Sequence, residues 1–142
     1  MTRVERWLLD LSNLLVAGSG VVYAIMKYLM EPVEEWSVVN HPWQPHLQHL
    51  HVVAAPLLVF AVALYFKGHV VEKVSNGSNR GRFTGYVLAL HFVPVVLSGY
   101  LIQVTVDERW RMAWIWVHLV TGGLWILGAL AHRFKKKNGE TD

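Results

Sequence analysis

The chain has 142 residues, of which 54% are hydrophobic and only 16% are charged, whereas charged residues make up about 25% of a typical soluble domain. This composition argues against a water-soluble protein, and the small net charge of +3 gives no reason to expect a nucleic-acid partner. The lack of cysteine excludes disulfide scaffolds, zinc–cysteine sites, iron–sulfur clusters and C-x-x-C-H haem attachment. The eight histidines are unexpected in so apolar a chain.

Four apolar tracts predict four membrane-spanning helices. A helix needs about 20 residues, at ~1.5 Å of rise each, to cross ~30 Å of hydrocarbon. The tracts lack the polar stripe of a soluble helix and the alternation of a membrane-barrel strand. The predicted spans are residues 7–30, 47–71, 83–106 and 112–134. We therefore expect an all-α integral membrane protein, with a single domain folded as a four-helix bundle. No internal repeat is apparent.

The distribution of Lys and Arg predicts the orientation of these spans. The N-terminal segment, the loop between spans two and three and the C-terminal tail carry ten of the 13 basic residues. The opposite side carries three, together with several acidic residues. Because basic residues favour the cytoplasmic side, we expect both termini in the cytoplasm and a multi-pass protein of the bacterial inner membrane.

Two histidine pairs share helix faces on spans two and four. His118 and His132 are 14 residues apart, which leaves a net rotation of about 40° and a rise of about 21 Å. His51 and His69 are 18 residues apart, or five whole turns and about 27 Å. Since the two spans run antiparallel, His51 and His118 are expected near the outer edge of the membrane, and His69 and His132 near the inner edge.

Two facing imidazoles at one level can hold a flat tetrapyrrole by axial ligation of its iron. Helix-bundle cores commonly house such sites, and bis-imidazole ligation suits electron transfer. Gly122 and Gly128 lie four residues from His118 and His132, so they fall on the same helix face and leave room for a porphyrin. Ordinary packing of small residues between helices is the alternative explanation for these glycines.

The remaining histidines fit this pattern less well. His41, His46 and His49 lie at the outer boundary or off the ligand face, where interfacial hydrogen bonding is expected. His91, eight residues into span three, matches neither level; we expect it near a haem edge, with replacement of His69 as the inner ligand as the alternative. A metal-ion or proton transporter would require acidic residues near the middle of the membrane, and no span has one there.

Several of these segments resemble a known family. They are His46-Leu47-Gln48-His49-Leu50-His51 with the following Ala55-Pro56-Leu57-Leu58-Val59-Phe60 and His69-Val70, then Ser98-Gly99-Tyr100-Leu101-Ile102-Gln103, and Trp116-Val117-His118 with His132. Together they resemble small bacterial di-haem membrane cytochromes b, similar to the cytochrome b subunits of nickel–iron hydrogenases and formate dehydrogenases. The resemblance covers residues 41–134, whereas span one matches only in hydrophobic length. Span two has His-x17-His where many of these cytochromes have His-x13-His.

The resemblance implies two non-covalent b-type haems with axial histidines on facing helices. It also implies electron exchange between a quinone pool and a redox partner subunit or cytochrome. The chain would then be an electron-transfer subunit of a quinone-linked oxidoreductase complex, without substrate chemistry of its own. A non-redox anchor or assembly subunit and a metal-ion or proton transporter remain as alternatives.

Further residues are candidates for contacts with these cofactors. Arg82 and Arg133 could pair with the propionates of the inner haem, although both also fit the ordinary positive-inside pattern. Tyr100 and Gln103, near the outer end of span three, could bind a quinone carbonyl. Tyr100 could equally be an interfacial anchor.

Overall fold

A computed structural model describes residues 2–32, 34–66 and 82–138. In this part of the chain all regular secondary structure is helical, and four helices are long and apolar enough to cross a membrane. They are α1 (Arg3–Tyr28), α2 (Gln44–Tyr65), α3 (Arg82–Val104) and α4 (Glu108–Asn138). The predicted all-α class, with four helices long and apolar enough to span a membrane, is confirmed. The bounds of the spans and the orientation of the termini stay predictions.

Three helices begin three or four residues before the predicted spans, with polar caps at the start of α1 and α4 and a proline in the first turn of α2. Thr2 and Glu5 form a capping box at the start of α1, with N–H···O distances of 2.9 and 3.2 Å. Pro45 lies in the first turn of α2, where its missing N–H costs nothing. The Asp107 carboxylate accepts the N–H of Trp110 at 3.0 Å at the start of α4. Hydropathy cannot detect such starts, since capping residues are polar.

The chain divides into two compact units, Met1–His69 and Val70–Asp142. In the first unit α1 packs against α2, and we call this pair the first hairpin. In the second unit α3 packs against α4, and we call this pair the second hairpin. The prediction that all four helices form a single domain stays a prediction.

Each hairpin has its own connection. In the first hairpin, the Asn40 amide donates to the carbonyl oxygens of Lys27, in the last turn of α1, and Met30, just after it, at 3.0 and 2.7 Å. Gln44 is buried and its side-chain oxygen accepts the Asn40 N–H at 3.1 Å. In the second hairpin only residues 105–107 separate the two helices.

The burial pattern is the reverse of that in a soluble protein. Ser12 and Ser98 are the two most completely buried side chains among the described residues, at 0% and 1% exposure. Large apolar side chains such as Leu14, Val53 and Leu90 are instead mostly exposed. Small residues at helix contacts with apolar residues facing outward are typical of helices packed in lipid. The described helices therefore fit a lipid bilayer.

Candidate functional site

His51 on α2 is partly buried and turned toward α1. Its Nδ1 lies 2.9 Å from the carbonyl oxygen of Val16 and 3.4 Å from the hydroxyl oxygen of Ser19. A carbonyl oxygen can only accept a hydrogen bond, so Nδ1 must be the protonated nitrogen. In the neutral ring, Nε2 then has the lone pair.

Ser19 is buried beneath this imidazole on α1. Its hydroxyl donates to the carbonyl oxygen of Leu15 at 2.6 Å, and the Val16 carbonyl lies 3.2 Å away. Because a serine hydroxyl has a single proton, the Ser19 oxygen can act toward Nδ1–H of His51 only as an acceptor. The ring N–H is thus shared between a main-chain carbonyl and a hydroxyl.

Gly20 allows the His51 ring to lie directly on the α1 backbone. A Cβ atom at position 20 would be 2.8 Å from Cε1 and 3.0 Å from Nδ1 of His51. Real Cβ atoms essentially never approach another heavy atom so closely, so alanine would displace the ring or the helix. Gly18, two residues earlier, has open space at its Cβ position.

His118 has the same surroundings in the second hairpin. Its Nδ1 lies 3.1 Å from the carbonyl oxygen of Val95 and 3.1 Å from the hydroxyl oxygen of Ser98. The Ser98 hydroxyl donates to the carbonyl oxygen of Pro94 at 2.6 Å. A Cβ atom on Gly99 would lie 3.2 Å from Cε1 of His118. His118 therefore also has its proton on Nδ1.

The residues around the two imidazoles have the same types in the same spacing. Each residue of α1 in the site has a counterpart on α3 whose number is higher by 79: Val16 and Val95, Ser19 and Ser98, Gly20 and Gly99. Sequence reasoning missed this correspondence, because it considered glycines as room for a porphyrin only on span four and compared span one only by hydrophobic length. The available signal was the Ser-Gly dipeptide near the middle of spans one and three.

His91 on α3 is protonated on the other ring nitrogen. Its Nε2 lies 3.1 Å from the carbonyl oxygen of Thr121 on α4, so Nε2 donates and links the two helices. Phe92, the next residue, packs on Trp125 with ring centroids 4.7 Å apart. These contacts support a role for His91 in helix packing; its proposed alternative role as the inner ligand stays a prediction.

The other histidines have different settings. His132 is partly buried on α4, and His69 lies outside the described residues. His46 and His49 are exposed, and the His46 ring meets Trp43 edge-on at 5.7 Å. The predicted pairings of His51 with His118 and of His69 with His132 join the two hairpins and stay predictions.

The predicted porphyrin-facing glycines differ from each other. A Cβ atom on Gly128 would lie 3.5 Å from Cδ2 of Leu88, an ordinary contact that indicates helix packing. Gly122 has open space at its Cβ position. Arg82 is the first residue of α3 and Arg133 lies within α4; their pairing with propionates stays a prediction.

The quinone candidates, Tyr100 and Gln103, lie near the C-terminal end of α3. The Gln103 amide donates to the carbonyl oxygen of Gly99 on its own helix at 3.2 Å. The Tyr100 side chain is 51% exposed. One amide hydrogen of Gln103 is thus used within α3, and the role of both residues toward a quinone stays a prediction.

No protein-family model, curated protein or solved structure matches this chain. Within the ranges 2–32, 34–66 and 82–138, no group of three or more His, Asp or Glu residues could hold a metal ion. The candidate functional groups are two imidazoles, His51 in the first hairpin and His118 in the second, each with an equivalent main-chain carbonyl and serine hydroxyl as partners.

Proposed function

We propose that the chain is a membrane electron-transfer protein with two b-type haems, in which His51 and His118 are the axial ligands of one haem. The observation that supports this most is the donation of Nδ1–H from each ring to a helix carbonyl. A histidine that binds a metal almost always donates its other ring N–H to a carbonyl, a carboxylate or water. That bond fixes the tautomer and makes Nε2 the ligand atom.

The number of anchored rings also fits haem. A protein-only zinc site takes three or four side-chain ligands, whereas a porphyrin supplies four nitrogens and leaves the protein one or two axial positions. Among the described residues, His51 in the first hairpin and His118 in the second are each held through Nδ1. Gly20 and Gly99 bring both rings close to a helix backbone, which limits their rotation.

The remaining parts of the proposal follow from the sequence. His69 and His132 would hold the second haem, and Tyr100 with Gln103 would contact a quinone. Bound haem supplies reversible one-electron chemistry, while the chain holds the ligands and provides an apolar sheath. The chain would relay electrons between a quinone pool and a redox partner subunit or cytochrome, in the bacterial inner membrane with both termini in the cytoplasm.

The first test is the haem content of the full chain purified in detergent. A pyridine haemochrome spectrum, with protein quantified by amino-acid analysis, should show haem b at about two per chain. His51→Ala and His118→Ala should each lose the haem that these two rings share, because a missing axial ligand weakens non-covalent binding.

His49→Ala is the matched control, because His49 is exposed and lies two residues from His51 on the same helix. Its haem content should equal that of the unmodified chain. Full haem content in both ligand variants would reject the assignment of His51 and His118. A colourless chain with a helical circular-dichroism spectrum would reject the cytochrome and favour a non-redox anchor subunit.

A further inference from the structure

Ser19 and Ser98 occupy the same position relative to their histidines. Each hydroxyl donates to a carbonyl four residues earlier, at 2.6 Å in both helices. Each hydroxyl oxygen also lies within reach of a histidine Nδ1, at 3.4 Å for Ser19 and 3.1 Å for Ser98. The ring N–H of each histidine therefore has two acceptors, and one of them is a side chain.

Hydrogen bonding of each serine to a carbonyl of its own helix explains only part of this arrangement. Serines in membrane helices often donate to the carbonyl at i−4, and that accounts for the bonds to Leu15 and Pro94. It does not explain why each serine oxygen also lies close to Nδ1 of a histidine on the other helix of its hairpin. Ser12 shows the difference, since it is fully buried on α1 and its hydroxyl donates to the Leu9 carbonyl at 3.2 Å, with no imidazole partner among the described residues.

We propose that Ser19 and Ser98 are positioning residues that act through His51 and His118 to lower the reduction potential of the iron bound by these rings. The inference rests on the proposed function. A second acceptor draws the proton of Nδ1–H away from the ring, and hydrogen bonds in series polarise one another. The imidazole then donates more electron density from Nε2, which stabilises ferric over ferrous iron.

The two sites differ in the expected size of this effect. The Ser98 oxygen is 0.3 Å closer to its Nδ1 than the Ser19 oxygen is (3.1 against 3.4 Å). A hydrogen bond near 3.4 Å is at the weak end of the range. Ser98 should therefore lower the reduction potential more than Ser19 does.

The test is a redox titration of Ser19→Ala and Ser98→Ala in the purified full chain, followed in the haem absorption bands. Each substitution should raise the midpoint potential of one haem, with the larger shift in Ser98→Ala. The ferric electron paramagnetic resonance signal of that haem should move as well, because its g-values respond to the donor strength of the axial imidazoles. Ser98→Thr keeps a hydroxyl and should restore the native potential.

Ser12→Ala is the matched control, being the same substitution at a buried serine of α1, and it should leave the potential unchanged. Loss of haem in the alanine variants that is reversed by threonine would also support a positioning role. Unchanged potential and g-values in both alanine variants, with haem retained, would overturn this inference and leave the proposed function intact. A native chain without haem would overturn both.

Discussion

At the scale of single residues, the tautomer of each candidate ligand is set by its neighbours on the opposite helix. His51 and His118 have the proton on Nδ1, whereas His91 has it on Nε2. All three rings contact a carbonyl oxygen across a hairpin, but through Nδ1 in His51 and His118 and through Nε2 in His91. The sequence alone was enough to choose these histidines as candidate ligands. The distinction between them was not evident, because it depends on which ring nitrogen meets the neighbouring helix.

The close contact at Gly20 predicts that even Gly20→Ala strongly lowers haem affinity. Gly20→Ala should displace the His51 ring, because the new Cβ would lie 2.8 Å from Cε1. Overpacking of this kind costs about 1–3 kcal/mol, so haem affinity at this site should fall roughly 5- to 150-fold, as measured by haem transfer to apomyoglobin. Gly99→Ala, with a 3.2 Å approach, should have a smaller effect.

Gly18→Ala is the control for this prediction. It makes the same change on the same helix, but its Cβ would enter open space. Haem affinity in Gly18→Ala should match that of the unmodified chain. Equal haem affinities in Gly18→Ala and Gly20→Ala would show that haem binding does not depend on the close contact of the His51 ring with α1.

At the scale of elements, hydropathy was sufficient to find all four helices and insufficient to find what joins them. Long apolar tracts predict spans because lipid imposes a length and excludes charge. Inside each hairpin, small and polar residues such as Ser19 and Gly20 make close contacts alongside apolar ones. These residue types are common throughout membrane helices, so their role becomes clear only when the opposite helix is in place.

The His91 bond gives a prediction for the second hairpin. His91→Ala removes the donor to the Thr121 carbonyl and should lower the stability of the chain by about 0.6–1 kcal/mol, the usual size of such a bond between membrane helices. The measurement is unfolding in mixed micelles, followed by circular dichroism. His91→Gln, whose amide can donate at a similar distance from the backbone, should recover part of the loss.

Haem content separates this packing role from ligation. His91→Ala and His91→Gln should both retain the haem content of the unmodified chain. If either variant loses one haem, then His91 is a ligand, and the inner site must be reassigned from His69 to His91.

At the scale of the whole molecule, His51 in the first hairpin and His118 in the second are anchored in equivalent ways. The sites correspond with an offset of 79 between α1 and α3, but of 67 between His51 and His118. The difference of 12 residues matches the longer connection of the first hairpin, 15 residues between helix ends against three. A connection can differ in length at little cost, so both hairpins can have an equivalent site although their connections differ. This explains why no repeat is apparent along the chain.

The proposed pairing of His51 with His118 predicts how the effects of substitutions in the two hairpins combine. If His51 and His118 bind one iron, Ser19→Ala and Ser98→Ala should shift the same component of the redox titration. The shifts of the double variant should then add, since the two hydroxyls act on separate rings. Shifts in two different components would place His51 and His118 on different haems and contradict their predicted pairing.

The primary acceptor of each ring proton is a main-chain oxygen, that of Val16 or Val95. No change of side chain at position 16 or 95 deletes that oxygen, so the tautomer of each ring follows from the path of the helix itself. Replacement of Val16 or Val95 by another apolar residue should therefore leave the tautomer of each ring unchanged. A search for distant relatives should give weight to the spacing of serine, glycine and histidine between paired helices, and little to the identity of those two valines.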